Sequence, residues 1–224
     1  MIKVNEIIKN FTNGDIVTKV LKGISFEVPD GQFLSIMGPS GTGKSTLLYQ
    51  MGLLDEPTSG SIIIDETDVL HFKEAEATRF RLKNFGFVFQ DSALIPEFTA
   101  LENAILPNLM AGYDYKKSKE EATEMFKFLG MLDQVNHLPS QLSGGEQQRA
   151  SVIRAIAGKP KILFADEPTA NLDTEKSRDL MSALLKLHKQ GQTIVMVTHE
   201  EEYAKMAQRM LYMRDGKIEK DTIL

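Results

Sequence analysis

Lys44 and Ser45 close the run Gly38-Pro39-Ser40-Gly41-Thr42-Gly43-Lys44-Ser45, which has the G-x-x-x-x-G-K-[ST] spacing of a phosphate-binding loop. Glycines at these positions let successive backbone N–H groups turn inward around phosphate oxygens, where side chains would obstruct them. Lys44 adds a point charge for the outer phosphates, and the Ser45 hydroxyl is placed to ligate Mg²⁺. Far along the chain, Asp166 and Glu167 follow the apolar run Ile162-Leu163-Phe164-Ala165. A carboxylate at the C-terminal edge of a parallel strand can hold Mg²⁺ directly or through water, and the next acid can orient or deprotonate an attacking water. The plainer alternative, two solvated acids at a strand end, would leave the metal without a carboxylate. The chemistry implied is transfer of a phosphoryl group to water.

These residues need strands and helices to place them. Gln32 to Met37 is a short, mainly apolar run that reads as a buried strand, and Thr46 to Met51 has no breaker and reads as a helix facing the phosphates with its N-terminus. Phe85 to Phe89, Lys161 to Ala165 and Thr193 to Val197 read as strands buried on both faces. Strand-like and helix-like segments alternate after residue 30, which predicts an α/β fold with a mostly parallel sheet. Before it, Ile2 to Ile7 and Ile24 to Val28 flank turn signals at Asn13-Gly14 and Pro29-Asp30-Gly31, predicting antiparallel hairpins. Residues 99–158 read as helical throughout, with Ala122, Met125, Phe126 and Leu129 on one face of an amphipathic segment. Asp215-Gly216 marks a closing hairpin.

The chain has 224 residues, which suits one large domain or a core with a small appended subdomain, and 42% hydrophobic with 25% charged residues is ordinary for a soluble globular protein. A net charge of −5 argues against a broad nucleic-acid footprint. With no cysteine there are no disulfides, cysteine zinc sites or thiol catalysis, which suits a reducing compartment. No apolar stretch approaches the roughly 20 residues that span a bilayer, and the start lacks a signal peptide's pattern. The expectation is a cytoplasmic protein whose membrane role, if any, comes through a partner. His71, His137 and His188 read as surface or packing residues, and the eleven Met residues as core filler.

The chain resembles the nucleotide-binding domain of ABC transporters over essentially its whole length, because that family's motifs occur here in order. Gly38 to Ser45 match Walker A, with Thr46 adjoining. Gln90 matches the Q-loop glutamine, Leu142-Ser143-Gly144-Gly145-Glu146-Gln147-Gln148-Arg149 the signature, and Ile162 to Glu167 Walker B with its catalytic glutamate. Asn171-Leu172-Asp173 match the D-loop, and His199 the switch histidine. The resemblance implies ATP and Mg²⁺ as cofactors on a P-loop NTPase (RecA-like) core, with an N-terminal antiparallel β subdomain and a helical subdomain at residues 91–158. It implies that Phe11 stacks on adenine, that Gln90 contacts Mg²⁺ beside Ser45 and Asp166, that Glu167 is the catalytic base and that His199 reaches the γ-phosphate. Ser143, Gly144 and Gly145 precede a helical stretch and make a second anion site at its N-terminus. Two phosphate sites on one chain imply a head-to-tail homodimer, each signature capping the ATP of the other subunit with Asp173 nearby.

Gly52 to Gly60, Phe87 to Gln90 and Leu101 to Ala104 look like the bacterial subfamily that powers lipoprotein release and macrolide or peptide export. That likeness implies an integral membrane permease with an extracytoplasmic domain, and a place on the cytoplasmic face of the cell membrane. The cell-division ATPase, which shares Gln141 to Arg149, and soluble iron–sulfur assembly ATPases are the alternatives. Phe11 stands where tyrosine is commoner, and Ala170 where the subfamily often has glycine.

Overall fold

A computed structural model describes residues 1–224. Strands β1 (Ile2–Asn13) and β2 (Ile16–Val28) form one long antiparallel hairpin, turning at Gly14 and Asp15. The hairpin is longer than the two short pieces expected. Its outer half is exposed on both faces, so it lacks the apolar alternation that betrays a half-buried strand. Next come β3 (Phe33–Met37), α1 (Lys44–Met51), β4 (Ser59–Ile64), β5 (Thr67–Asp68) and α2 (Glu74–Asn84). β4 pairs antiparallel with β1, setting Ile64 opposite Ile2 and Ile62 opposite Val4, and the sheet runs β2-β1-β4-β5. All four of those side chains are buried, so a slip of one residue would turn them to solvent.

The chain falls into two compact units, one of Met1–Ala77 with Gly191–Leu224 and one of Thr78–Gln190. The second unit carries β6 (Phe85–Val88), α3 (Ala100–Met110), α4 (Tyr115–Phe128), α5 (Gly144–Ile156), β7 (Ile162–Asp166) and α6 (Thr174–Lys189). β6 and β7 are parallel, with Val88 opposite Ala165, and Phe164 packs against Phe85 and Phe87. Gly86 lets α5 lie against β6, because a Cβ there would fall 2.1 Å from the Ala155 carbonyl oxygen. Ala122 and Phe126 of α4 are buried against α3 and α5, and Met125 and Leu129 pack on the same cluster, as the amphipathic pattern predicts.

Residues 99–158 are not helical throughout. Asp114 caps α4 by accepting from the Lys117 N–H at 3.0 Å, and Gly130, at φ +68°, follows its last turn. A non-helical stretch with short 3₁₀ turns then leads to α5. The breaks follow from these local residues, which an apolar pattern averaged over the region hides.

The first unit resumes with β8 (Thr193–Thr198), α7 (Glu201–Ala204), β9 (Arg209–Arg214) and β10 (Lys217–Ile223). β3 lies parallel between β8 and β9, and β9 turns into antiparallel β10 at Asp215 and Gly216, both at positive φ. β7 and β8 are buried at every residue, as expected for strands covered on both faces.

Candidate functional site

Parallel pairing decides which loops share an edge. In the first unit Met37 stands opposite Thr198, so the loop that begins at Gly38 and the residue His199 leave the same end of neighbouring strands. In the second, Val88 stands opposite Ala165, so Gln90, Asp166 and Glu167 leave one end together. Loops at the carboxyl ends of parallel strands are where open α/β sheets bind ligands.

The phosphate loop is curled around its own lysine. The buried Lys44 Nζ donates to the Gly38 carbonyl at 2.9 Å and to the Pro39 carbonyl at 3.1 Å. Thr42 Oγ1 donates to the Pro39 carbonyl at 3.0 Å. Gly38 has φ +154°, and a Cβ on it would meet the Met213 carbonyl oxygen at 2.2 Å, so no other residue fits. Gly43 starts α1 in the left-handed region, and α1 has no side-chain cap. Thr99, Asp114, Ser143 and Asp173 by contrast cap α3, α4, α5 and α6. The leading N–H groups of α1 thus suit an anion, and the loop fits the phosphates of a nucleotide. Pro39, Ser40 and Gly41 are exposed on the loop, and Ser45 and Thr46 are half-buried in the first turn of α1.

Phe11 lies on β1 opposite Thr18 and is 48% exposed. Lys9 Nζ sits 4.9 Å from its ring centroid and is anchored to Asp55 at 2.8 Å. β2 continues from Thr18 to Val20 and Leu21, which touch the space beside Gly43. One hairpin therefore carries both the aromatic ring and a wall of the phosphate loop. His199 is exposed just past β8, where the Thr198 hydroxyl accepts from the Glu200 N–H at 3.1 Å.

In the second unit Asp166 is buried at the end of β7, while Glu167 is half-buried with φ +46°. A bulky L-residue in the left-handed region is a strained conformation of the kind that clusters at functional sites. Gln90 is exposed, and its carbonyl accepts from Asn171 Nδ2 at 3.3 Å. Ser143 and Glu146 form a reciprocal capping box at the head of α5: Ser143 N–H donates to the carboxylate at 2.8 Å and Glu146 N–H to the hydroxyl at 3.4 Å. The backbone hydrogen bond from Ser143, then that with its side chain, hold the Glu146 carboxyl below its usual range. Gly144 is exposed at the same helix end, and Gly145 is buried against Lys176.

Asp173 has a local task as well. It caps α6 through the Lys176 N–H at 3.0 Å and pairs with the Lys176 ammonium at 2.6 Å. The hydrogen bond with the Lys176 side chain is the main reason its carboxyl is lowered. Sequence reasoning passed over Asn171, Gln148 and Arg154 as individual actors. Asn171 and Gln148 were legible only as parts of motifs, and Arg154 only as a residue within the helical stretch that follows the signature.

The family profile described as ABC transporter matches residues 21–170. The lipoprotein-releasing system ATP-binding protein LolD of Bacteroides thetaiotaomicron is 48% identical over 222 residues, which cover 99% of this chain and 100% of the relative. The macrolide export ATP-binding/permease protein MacB of Brucella melitensis is 42% identical over 99% of this chain, which corresponds to 34% of that longer protein. A solved dimeric ATP-binding cassette, in a post-hydrolysis state with ADP and Pi bound, superposes with a TM-score of 0.92 at 38% identity and covers 100% of this chain and 99% of its own. No helix here is long and apolar enough to cross a membrane. The chain belongs to the ABC transporter family, as an ATPase subunit of the P-loop α/β fold that binds ATP with Mg²⁺ and hydrolyses it.

Proposed function

We propose that this chain powers a separate integral membrane permease with an extracytoplasmic domain, working as a homodimer on the cytoplasmic face of the cell membrane. The observation that carries the use of ATP in this reading is the phosphate loop, whose backbone, with Gly38 where no side chain fits, curls around Lys44 and leads into a helix with no side-chain cap. In this assignment the loop from Gly38 to Ser45, through its backbone N–H groups at every position but Pro39, holds the phosphates together with the Lys44 ammonium and Thr46, and Phe11 stacks on adenine. Ser45, Gln90 and Asp166 supply the oxygens that hold Mg²⁺. When bound, the metal would offset the negative charge that develops on the phosphates. Glu167 accepts the proton of the attacking water, and His199 hydrogen-bonds the outer phosphate. Ser143, Gly144, Gly145 and Asp173 meet the nucleotide held by the second copy. The whole chain acts as one ATPase domain, with its helical part at residues 91–158.

Lipoprotein release or macrolide and peptide export is the transport class we assign. The 48% identity to a lipoprotein-releasing ATPase across nearly the whole chain supports it, as does the similarity to a macrolide exporter. ATP binding would then draw two subunits together, and hydrolysis would part them. The test is recovery of tagged Glu167→Gln from detergent-solubilised membranes with MgATP. Co-purification of a membrane protein with a large outer domain supports the assignment, whereas recovery of soluble partners only would overturn it.

A further inference from the structure

Residues 89–99 run from β6 to α3 without regular secondary structure. Carbonyls in such a segment need donors from elsewhere, and here side chains supply several. Gln148 Nε2 donates to the Phe89 carbonyl at 2.8 Å. Asn171 Nδ2 donates to the Gln90 carbonyl at 3.3 Å and to the Asp91 carboxylate at 2.9 Å. Arg154 donates to the Ala93 carbonyl at 2.5 Å and to the Ser92 carbonyl at 3.0 Å. Burial pushes the half-buried Arg154 guanidinium below its ordinary pKa, and its two terminal nitrogens each donate to a backbone carbonyl. Ala93 has φ +49°, a conformation that persists only where the surroundings enforce it.

These donors come from two places. Gln148 and Arg154 lie on α5, whose first turn is the Ser143–Glu146 capping box, and Asn171 lies in the turn that leads to the Asp173 cap of α6. We propose that Asn171 and Arg154 are positioning residues for Gln90, fixing the backbone of residues 90–93 so that the Gln90 side chain has one direction in which to present its oxygen. The functional weight of this proposal rests on Gln90 as a metal ligand. Under that assignment α5, whose head faces the second copy, and the turn before α6 are the two elements that hold the metal ligand's backbone, Gln148 from the first half of α5 and Arg154 from its last turn. Subunit pairing and metal ligation are then coupled through three side chains within one chain. Asn171 would act as an outer-shell partner that orients a ligand without touching the ion.

The test uses the absence of cysteine from the full chain. A nitroxide on Gln90→Cys reports backbone mobility at that position, and the Mg²⁺ concentration for half-maximal ATPase reports ligation. Asn171 is exposed, so Asn171→Ala is the primary variant, with Arg154→Lys as the second because it keeps the charge and loses the fork. Asn171→Ala should narrow the nitroxide spectrum at unchanged melting temperature and raise the Mg²⁺ requirement by about 10-fold. Asn171→Asp, which sets a carboxylate against Asp91, should loosen the probe further. In a Gln90→Ala background Asn171→Ala should add nothing to the Mg²⁺ requirement. An unchanged spectrum, or an equal penalty with and without Gln90, would overturn the proposal. If the probe loosens while Gln90→Ala itself leaves the Mg²⁺ requirement untouched, the positioning role stands and the metal role of Gln90 falls.

Discussion

Two acids separated by twenty-one positions illustrate how a carboxylate's surroundings set its task. Glu167 follows a buried strand and has the backbone strain described above, whereas Glu146 is tied into a helix cap. Replacing Glu167 by Gln should leave ATP binding intact and slow hydrolysis by at least about 100-fold, the usual loss on removing a general base. Single-turnover ATPase assays read this directly, and wild-type turnover would exclude Glu167 as the base. For Glu146 the prediction concerns pH. Its carboxyl is lowered in the folded state, chiefly by the Ser143 N–H, so its contribution to stability is complete above the unfolded value of about 4.3 and fades as pH falls through the lower folded value. Wild type should therefore be more stable than Glu146→Gln near neutrality and match it in acid. A gap that persists in acid, measured by chemical denaturation, would mean that the effect is not one of charge.

At the scale of elements, α3 shows how a helix start is written into a sequence. Thr99 and Glu102 form a capping box, and Asn103 binds the Ile95 N–H at 2.7 Å while donating to the carbonyls of Ile95, Phe98 and Thr99. Thr99→Ala should cost about 1 kcal/mol of unfolding free energy with no change in denaturant slope. A loss below the error of the measurement would show that Asn103 holds the turn by itself. The strands β3, β6, β7 and β8 were legible in the sequence because short apolar runs bounded by breakers have few other uses. The Asp215-Gly216 hairpin was legible because both residues tolerate positive φ. The outer half of the β1–β2 hairpin was not, because its exposed faces carry no pattern. Gly38 to Ser45 and Asp166-Glu167 could be assigned from spacing and flanks, whereas the bonds from Asn171 and Arg154 to residues 90–93 depend on tertiary placement that no local window contains.

At the scale of the molecule, the proposed assignment gives one chain two anion-binding helix ends of different kind, since α1 has no side-chain cap whereas Ser143 caps α5 with Glu146 closing the box. A pair of chains related by a two-fold axis would use each end once per nucleotide and close on itself. With hydrolysis blocked, Glu167→Gln should run as a dimer in MgATP and as a monomer without nucleotide, which light scattering on a sizing column distinguishes. A monomer in saturating MgATP would argue that pairing requires the permease.

The left-handed backbone at Glu167 has a bearing on ancestry. Asparagine tolerates that conformation better than glutamate, so Glu167→Asn should melt no lower than wild type while losing hydrolysis. A lower melting temperature would show that the glutamate side chain contributes to the fold. If the expectation holds, nothing in folding defends the acid at this position, and a lineage released from the need to hydrolyse ATP would lose it by drift. Its presence in an unfavourable conformation is then a trace of selection for turnover.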